Sequence, residues 1–325
     1  MSKFFSLLFL SLLSSSALAQ FPGPVGTAGC TAIHKDSSIF VGWATGCQVN
    51  RGYQNIANPS QGFASTGDST MALGKADGVQ VVSLGDGGCA VLTFDNPIYN
   101  GPGFDFAVFE NAFIDEFLEL AFVEVSSDGV NFFRFKATSN RPTDVQVGPF
   151  DYDDNASHYD NLAGKYRALY GTPFDLAELD GITGLDINHI THVKVIDVVG
   201  SINPLFATYD QNNNIINEHY PTEFPQGGFD LDAIGVINRV VNSLTEKTED
   251  NFVIYPNPAS QILHINTRQQ KIASVQITDG YGRTAIYQQN FEAETIHIGN
   301  LKQGVYFCKI IMPDGKSFFQ KFIKQ

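Results

Sequence analysis

The stretch that decides the fold class is residues 79–94, which read VQVVSLGDGGCAVLTF. Two runs rich in β-branched and apolar residues, 79–84 and 89–94, flank the turn 85–88, and this pattern is typical of a β-hairpin with a tight glycine-rich turn. The glycine run is unlike a phosphate-binding loop, because no Lys-Ser or Lys-Thr pair follows it and a strand follows in place of a helix. The stretch therefore favours an all-β fold.

Strand signals of the same kind recur through the first 243 residues. They lie at 105–110, 121–126, 131–135, 191–199 and 229–236. The second and third of them flank Ser127-Asp128-Gly129 and predict another hairpin. Modest helical character is confined to 175–179, with 162–169 as a weaker extension. A strand-dominated segment of this length predicts one large jelly-roll-like β-sandwich with long loops, over residues 20–243.

Charge divides the chain and limits its partners. The 325 residues carry 20 Lys and Arg against 34 Asp and Glu, a net charge of −14, which argues against nucleic acid as a partner. Residues 249–325 hold eight Lys and Arg and six Asp and Glu, so the acidity belongs to the part before them. The balance changes in the polar stretch 244–250, which we interpret as a linker between two domains.

The N-terminus has the pattern of a secretory signal peptide over residues 1–19. Lys3 supplies a positive charge, residues 4–13 form an apolar run too short to span a bilayer, and small residues predict cleavage between Ala19 and Gln20. An uncleaved anchor is the alternative. No other apolar run has the length of a transmembrane segment, so the sequence predicts an exported protein in an oxidising compartment.

Residues 251–325 predict a second, smaller domain. Short strand patterns occur at 252–255, 262–266, 273–278, 285–289, 295–298, 305–311 and 317–323. Glycine, asparagine and aspartate between them supply the turns. Seven short strands in so little sequence predict a small immunoglobulin-like β-sandwich.

Four motifs in this tail carry a resemblance. They are Tyr255-Pro256-Asn257-Pro258, then Asp279 with Gly282 and Arg283, then Gly304 with Tyr306, and a basic, aromatic last strand that ends at Lys324. In this order and spacing they resemble the type A C-terminal sorting domain of type IX secretion cargo; an ordinary immunoglobulin-like accessory module is the alternative. The resemblance implies passage through the periplasm, recognition by an outer-membrane translocon and removal of the tail by a sortase-like peptidase. The product is then anchored at the surface of a Gram-negative bacterium or released.

The acidic body is similar to a family of uncharacterised bacterial cell-surface proteins. The matching stretches are 85–88, 94–98, 101–111, 122–129 and 227–235. Its general outline is also similar to carbohydrate-binding jelly rolls. That second likeness is one of fold alone, so it carries little functional weight.

The sharpest candidate for chemistry is a set of oxygen-bearing side chains at alternate positions. It consists of Asp210, Asn212, Asn214 and Glu218. Calcium takes about six to eight oxygen ligands, and alternate residues of a tight loop can converge on one ion. The set lacks the central glycine and the final glutamate of an EF-hand, so it predicts a calcium loop of another kind. A polar surface loop is the alternative.

Asp230 and Asp232 form a second candidate metal site. Alternate residues of a strand share a face, and two carboxylates side by side are costly unless a cation or an arginine lies between them. Glu110 ends another predicted strand and could join them. The likeness to carbohydrate-binding jelly rolls implies a structural calcium here, with solvated acids at a sheet edge as the alternative. A third acidic stretch, 151–160, includes aromatic residues that could stack on a sugar, or it is simply a solvated loop.

Signals for catalysis are weak. Glu110, Glu119 and Glu124 could supply the carboxylate pair of a glycosidase, but nothing in the sequence sets their separation. The Gly-x-Ser-x-Gly pattern of a serine hydrolase is missing from the sequence. The sequence therefore favours a binding protein over an enzyme.

Four cysteines complete the inventory of an exported chain. Cys30 and Cys47 are predicted to form a disulfide that closes a short loop, while Cys89 and Cys308 are predicted to be buried thiols. A bridge from Cys89 to Cys30 or Cys47 is the alternative.

These patterns together predict a secreted or cell-surface binding protein that is exported by the type IX system. We expect it to be stabilised by calcium and to bind a glycan or another extracellular nutrient. Two alternatives stay open: a secreted hydrolase that acts on polysaccharide, and capture of a cobalamin-type cofactor for a membrane transporter.

Overall fold

The computed structural model describes residues 21–240, 253–266, 271–289, 291, 294–313 and 317–325. The chain divides into two compact units, Met1–Val241 and Asn242–Gln325. The predicted signal peptide, with its cleavage site between Ala19 and Gln20, and the predicted linker 244–250 lie outside the described residues. Regular structure in the described part consists of strands and of 3₁₀ helices no longer than four residues, so the all-β prediction is confirmed.

The first unit, which we call the body, contains thirteen strands among its described residues. They are β1 (Ile33–His34), β2 (Gly42–Trp43), β3 (Gly46–Asn50), β4 (Val82–Ser83), β5 (Cys89–Ile98), β6 (Phe106–Glu110), β7 (Ala121–Ser126), β8 (Phe133–Arg134), β9 (Thr138–Ser139), β10 (Tyr159–Asp160), β11 (Tyr170–Phe174), β12 (Ile190–Asp197) and β13 (Asp230–Val236). The 3₁₀ helices span Pro59–Gln61, Ser69–Ala72, Ala156–His158 and Leu176–Leu179.

Two antiparallel sheets form most of the body. The first has the order β1-β11-β6-β13-β2, with β4 paired to β13, and the second has the order β3-β5-β12-β7-β8. Strands β9 and β10 form a separate pair. The two long central strands of the first sheet, β6 and β13, are buried along their whole length. This explains why their sequences lack the simple alternation of a strand with one wet face.

The two sheets pack face to face around one core. Phe106 and Val108 of the first sheet share a hydrophobic cluster with Leu92, Val123 and Val193 of the second, and all five are buried. Full burial of one such side chain contributes about 1.5–3 kcal/mol before the loss of chain entropy. The body is thus a β-sandwich, as predicted.

The hairpin predicted at 79–94 is wrong. β4 pairs with β13 in the first sheet, whereas β5 pairs with β12 and β3 in the second, so the glycine-rich turn carries the chain between the sheets. Hydrogen bonds to residues that are distant in the sequence fix the conformation of this turn. The N–H of Gly85 donates to the carbonyl oxygen of Gly227 at 2.9 Å, and the N–H of Gly87 donates to Asp197 Oδ2 at 2.9 Å.

The hairpin predicted within 121–135 is confirmed. β7 pairs with β8, and the carboxylate of Asp128 in the turn accepts hydrogen bonds from two backbone N–H groups, both at 2.8 Å. The helical signal at 175–179 corresponds to the 3₁₀ helix Leu176–Leu179, whereas residues 162–169 are not helical.

The second unit, which we call the tail, contains seven strands among its described residues. They are β14 (Val253–Tyr255), β15 (Ile262–Asn266), β16 (Ser274–Asp279), β17 (Thr284–Gln289), β18 (Thr295–His297), β19 (Gly304–Ile311) and β20 (Ser317–Lys324). Each predicted strand is present, with ends that differ by at most one residue. A three-stranded sheet, β14-β15-β18, and a four-stranded sheet, β17-β16-β19-β20, enclose an apolar core that includes Leu263, Ile277 and Phe322.

The predicted disulfide between Cys30 and Cys47 does not form in this structure, in which all four cysteines are free. Cys47 packs against the core between the two sheets, whereas Cys30 packs against a different apolar cluster of the body. Burial raises the pKa of the Cys47 thiol to about 11 and that of Cys308 to about 12. Both thiols are therefore protonated and unreactive near neutral pH.

Candidate functional site

A cavity of about 590 Å³ opens at the end of the sandwich where β6 finishes and β13 begins. Its lining comes mainly from four loops that are far apart in the sequence, within 79–81, 111–119, 149–152 and 222–227. Three of these loops adjoin strands of the first sheet. The sandwich therefore positions the cavity, and the volume lies in the range of about 300–1,000 Å³ that is typical of small-molecule sites.

Aromatic side chains form the walls and the rim of the cavity. Phe113, Phe150 and Tyr152 are 85%, 63% and 62% exposed, and exposed rings grouped in this way are typical of a binding surface. Phe117 lies deeper. Its ring centroid is 5.6 Å from that of Tyr152 and 3.9 Å from the ring of His219, on which it stacks. These ring contacts connect the wall of the cavity to the buried His219.

His219 supports that wall as a neutral ring. It is buried, its Nδ1 lies 3.0 Å from the carbonyl oxygen of Gly148, and its Nε2 has no partner in the described part of the chain. Burial lowers the pKa of the imidazole. The ring beneath Phe117 therefore carries no charge near neutral pH, and Nδ1 is the donor to Gly148.

Two carboxylates, Asp230 and Glu119, lie in the lining of the cavity and form its floor. Asp230 accepts a hydrogen bond from the hydroxyl of Ser83, and burial raises its pKa to about 7. Burial also raises the pKa of Glu119 well above its ordinary value, with further contributions from the charges of Asp230 and Glu110. The floor consequently keeps protons to a higher pH than exposed carboxyl groups do.

Glu110 lies behind this floor and is 1% exposed. Its Oε2 accepts the N–H of Ala112 at 2.7 Å, while its Oε1 is buried and has no hydrogen-bond partner in the described ranges. Burial, together with the negative charge of Asp230, raises the pKa of Glu110 well above its ordinary value. An unpaired buried oxygen at this depth is costly and favours the protonated form.

Arg51 is the cation whose charge acts on Asp230, but its donors are used by the backbone. Its guanidinium donates to the carbonyl oxygens of Thr66 at 2.8 Å and Gly67 at 2.6 Å, and also to that of Ser83. The lining residues of the cavity include neither Lys nor Arg. The cavity is therefore an aromatic-walled site whose lining contains acidic groups and no basic ones.

Three more buried carboxylates, Asp86, Asp197 and Glu218, hold the loops in place. Asp86 accepts the hydroxyl of Thr222 at 3.1 Å, and Glu218 accepts the N–H of Leu120 at 2.7 Å. Burial raises the pKa of Asp86 to about 6 and raises those of Asp197 and Glu218 well above their ordinary values. These three carboxylates influence the shape of the cavity indirectly, because they hold the loops that line it.

Of the four predicted calcium ligands in the 210–218 loop, Asp210 contacts Asn212 and Asn214, whereas Glu218 has a different partner. The carboxylate of Asp210 accepts the N–H groups of Ser139 at 3.1 Å and of Asn212 and Asn214 at 2.8 and 2.9 Å. Asp210 therefore organises its own loop, and Asn212 and Asn214 are exposed. Glu218 points to Leu120, next to the cavity.

Asp230 and Asp232 also have different partners. Asp232 accepts the N–H groups of Asp77 at 3.1 Å and Gly78 at 3.0 Å, and burial raises its pKa to about 6. The strand is irregular between these two positions, where its register with β6 shifts. Within the described ranges, no group of three or more His, Cys, Asp and Glu is arranged to hold a metal ion. The calcium site that joins Asp230, Asp232 and Glu110 stays a prediction.

Of the three glutamates considered for glycosidase chemistry, the structure brings two together. Glu119 lines the cavity, and Glu110 lies close enough for its charge to contribute to the raised pKa of Glu119. Glu124 is elsewhere, because its carboxylate pairs with Arg134 at 2.8 Å and with Lys194 at 3.4 Å within the second sheet. Any acid–base chemistry in this cavity would fall to Glu119 and Asp230.

The acidic stretch 151–160 has two roles. Asp154 is buried and pairs with Arg141 at 2.5 Å and with the hydroxyl of Tyr159 at 2.8 Å, so it is a structural residue. Tyr152 lines the cavity, which places one of the predicted aromatic platforms at the site.

Sequence reasoning missed the other rings of the cavity, Phe113, Phe117, Phe150 and Phe224. Phe150 and Phe224 lie with their ring centroids 5.6 Å apart, although 74 positions separate them in the sequence. A usable signal was present, since large aromatic residues in polar loops between strands rarely serve a core.

Residues 253–325 match the secretion system C-terminal sorting domain. The tail is such a sorting domain. The protein is therefore secreted or displayed at the cell surface of a Gram-negative bacterium, and its tail interacts with the type IX secretion machinery. Among the described helices, none combines the length and the apolar character needed to cross a membrane.

Comparisons of the whole chain give only remote likeness. No curated protein matches it. The BSP domain of a biofilm-associated protein shares 9% identity and a TM-score of 0.19, over 73% of this chain and 48% of that one. A β-glucuronidase from Ruminococcus gnavus shares 9% identity and a TM-score of 0.22, over 93% and 46%. The chain thus spans about half the length of these structures.

Within the sorting domain, Asp279, Gly282 and Arg283 build the turn between β16 and β17. Asp279 Oδ1 accepts the N–H groups of Tyr281 at 2.9 Å and Arg283 at 3.0 Å, and the Arg283 guanidinium pairs with Asp279 Oδ2 at 2.7 Å. Gly282 has a φ of +78°, which side chains with a Cβ rarely adopt. Tyr281 at the tip is 88% exposed.

The motif Tyr255-Pro256-Asn257-Pro258 begins at the last residue of β14 and connects this strand to β20. Asn257 Nδ2 donates to the carbonyl oxygen of Lys321 at 3.2 Å, and Asn257 Oδ1 accepts the N–H of Ile323 at 2.9 Å. Ala259 extends this contact, since its N–H donates to the carbonyl oxygen of Ile323 at 2.8 Å. The motif therefore closes the domain against β20.

Gly304 and Tyr306 lie at the start of β19. The Tyr306 hydroxyl donates to the carbonyl oxygen of Lys302 at 3.0 Å, and its ring stacks on Phe322 at 5.7 Å between centroids. The sorting motifs are thus mainly residues that stabilise turns and strand contacts of the tail.

Proposed function

We propose that this is a secreted or cell-surface binding protein whose body captures a glycan in the aromatic-walled cavity. The observation that supports the proposal is the group of exposed rings, Phe113, Phe150 and Tyr152, around a polar floor. The apolar face of a sugar ring stacks on aromatic rings, while its hydroxyls pair with a few fixed polar groups. The loops that carry these groups are anchored to the sandwich, which favours a preformed site.

A panel of soluble oligosaccharides tests the proposal, with binding measured by isothermal titration calorimetry. Phe150→Ala and Tyr152→Ala are each expected to weaken binding about 3- to 10-fold, the value of one aromatic contact. Both side chains are exposed, so their loss leaves the core intact. The matched control is Phe63→Ala, which removes a ring that is 54% exposed and lies outside the cavity lining. If no glycan binds, or if all three variants bind equally, the proposal fails.

A polysaccharide hydrolase is the second candidate, because Glu119 and Asp230 line one cavity and both have a raised pKa. A carboxylic acid that stays protonated near neutral pH is suited to general acid catalysis. Release of reducing ends from polysaccharide, abolished by Glu119→Gln and by Asp230→Asn, would establish this activity. Binding without turnover would favour the first proposal.

A cobalamin-type cofactor is less well suited to this cavity. Such a ligand carries a phosphate group, and the lining offers no Lys or Arg to pair with it. Equilibrium dialysis with cobalamin checks this point directly, and we expect no retention above that of a buffer control.

Calcium stabilisation rests on the sequence pattern alone. The oxygens of Asp210 and Asp232 already accept backbone N–H groups, so the geometry of the described residues adds no argument for an ion. The prediction is that EDTA lowers the melting temperature by several degrees and that Asp232→Ala abolishes this response. An unchanged melting temperature in EDTA would remove calcium from the proposal.

A further inference from the structure

The acidic lining of the cavity distinguishes between anionic and cationic ligands, which its shape alone does not do. Asp230 and Glu119 line it, and no lining residue is basic. Behind them lies Glu110, whose Oε1 has no partner in the described part of the chain. The cavity therefore disfavours ligands that carry carboxylate, sulfate or phosphate and favours neutral or cationic ones.

We propose that the cavity selects glycan units that carry a free ammonium group, that is, amino sugars without an acetyl group. This inference rests on the proposed glycan-binding function and specifies its ligand class. The aromatic walls are the first argument for it, since a cation over a ring face is attracted by the ring quadrupole. Phe150 and Tyr152 stand at the rim of the same cavity whose floor is acidic.

The hydrogen-bonding capacity of the floor is the second argument. The Glu119 carboxylate accepts no hydrogen bond from the described residues, whereas Asp230 accepts hydrogen bonds from the hydroxyl of Ser83 and the side chain of Asn111. An ammonium group has three donors and no acceptor, so it complements acceptors that lack partners. A hydroxyl at the same place supplies one donor and no charge. Selectivity for the ammonium form follows from charge-assisted pairing.

Binding of a cation to this floor is linked to proton release. The pKa of Asp230 is about 7, so part of the population is protonated at neutral pH, and a bound cation favours the charged form. The charged or titratable groups whose fields act with Asp230 are Glu110, Glu119, Asp197 and Arg51. The amine itself loses its proton near pH 8, by analogy with an α-amino group. Affinity should therefore pass through a maximum between about pH 7 and pH 8.

The test compares two trisaccharides with the same backbone, one of glucosamine and one of N-acetylglucosamine, by isothermal titration calorimetry on the full chain. At pH 7 the glucosamine form is expected to bind about 10- to 100-fold more tightly, the range of a charged hydrogen bond. Repeating the titration in buffers of different ionisation enthalpy should show proton release for glucosamine and none for the acetylated form. Asp230→Asn should remove both differences. Asp144→Asn, an exposed acid outside the cavity lining, should leave them unchanged.

The outcomes separate this inference from the function on which it rests. Equal or tighter binding of the acetylated trisaccharide, or of any neutral glycan, overturns the ammonium selectivity and leaves glycan binding intact. Tight binding that Asp144→Asn weakens as much as Asp230→Asn also overturns it, because attraction by the acidic surface would then account for the result. If no glycan in the panel binds, the proposed function and the inference fall together.

Discussion

The burial of Asp230 should make the body less stable as the pH rises, and Asp230→Asn should remove this part of the pH dependence. The pKa of Asp230 is raised from 3.8 to about 7 because the group is buried. A carboxyl group with a raised pKa holds its proton more tightly in the folded chain, so its contribution to stability is complete below about pH 4 and is lost progressively as the pH rises to about 7. Asparagine has the same shape, still accepts the Ser83 hydroxyl, and carries no charge at any pH.

The magnitude follows from the size of this shift. About three units correspond to about 4 kcal/mol at pH 8, at 1.36 kcal/mol per unit. Glu110 and Glu119 interact with the same group, so about half of that figure, 2 kcal/mol, is a conservative expectation. For a domain of this size it corresponds to a rise in melting temperature of about 4–8 °C for Asp230→Asn at pH 8. At pH 5, which is little above the unfolded pKa of 3.8, the advantage of Asp230→Asn should shrink to about a third of its value at pH 8.

Thermal unfolding followed by calorimetry on the full chain, at pH 5 and pH 8, measures this difference. Asp128→Asn is the control of opposite sign, because backbone N–H donors in the β7–β8 turn lower the pKa of the exposed Asp128 carboxylate. That contribution is present above the unfolded pKa, so the control variant should be less stable than the parent at pH 8. The reasoning is refuted if Asp230→Asn melts below the parent at pH 8, or if its advantage is the same at both pH values.

Three further predictions concern the rest of the chain. Arg141→Met should destabilise the body by about 3–5 kcal/mol in a denaturant titration, because it leaves the buried Asp154 without its cation; a loss below 1 kcal/mol would contradict this. Gly282→Val should destabilise the tail, since its φ of +78° excludes a β-branched residue, and cell fractionation should show less exported protein; unchanged export would count against it. Deletion of 253–325 should leave the protein inside the outer membrane, and its appearance outside would show that another part of the chain directs export.

The strands of the tail were predictable almost to the residue because their signals are local. Short β-branched runs are separated there by turns such as Asp279 to Arg283, in which the aspartate and the glycine determine the geometry by themselves. The stretch 79–94 shows the limit of the same reasoning. Its strands and its turn were recognisable, but strand pairing depends on partners such as Gly227 and Asp197, which lie more than 100 residues away.

The candidate site was predictable only in part. Asp230 was predicted as a site residue because two carboxylates on one face of a strand are costly, and Glu110 because it ends another predicted strand; the structure buries both. The assignment of Glu218 to the calcium loop assumed that neighbours in sequence share a ligand, whereas its contacts lie with Leu120 beside the cavity. The cavity itself is assembled from four loops and has no continuous signature in the sequence. Long-range packing decides which aromatic rings meet.

The two hydrogen bonds between Asn257 and β20 have a consequence for the export of incomplete chains. A chain that stops before residue 317 lacks β20, so Asn257 has no backbone to hold and β19 keeps an open edge. A truncated chain that ends before residue 317 therefore reaches the outer membrane with an incomplete sorting domain. We therefore expect chains that lack β20 to be exported less efficiently than the full chain.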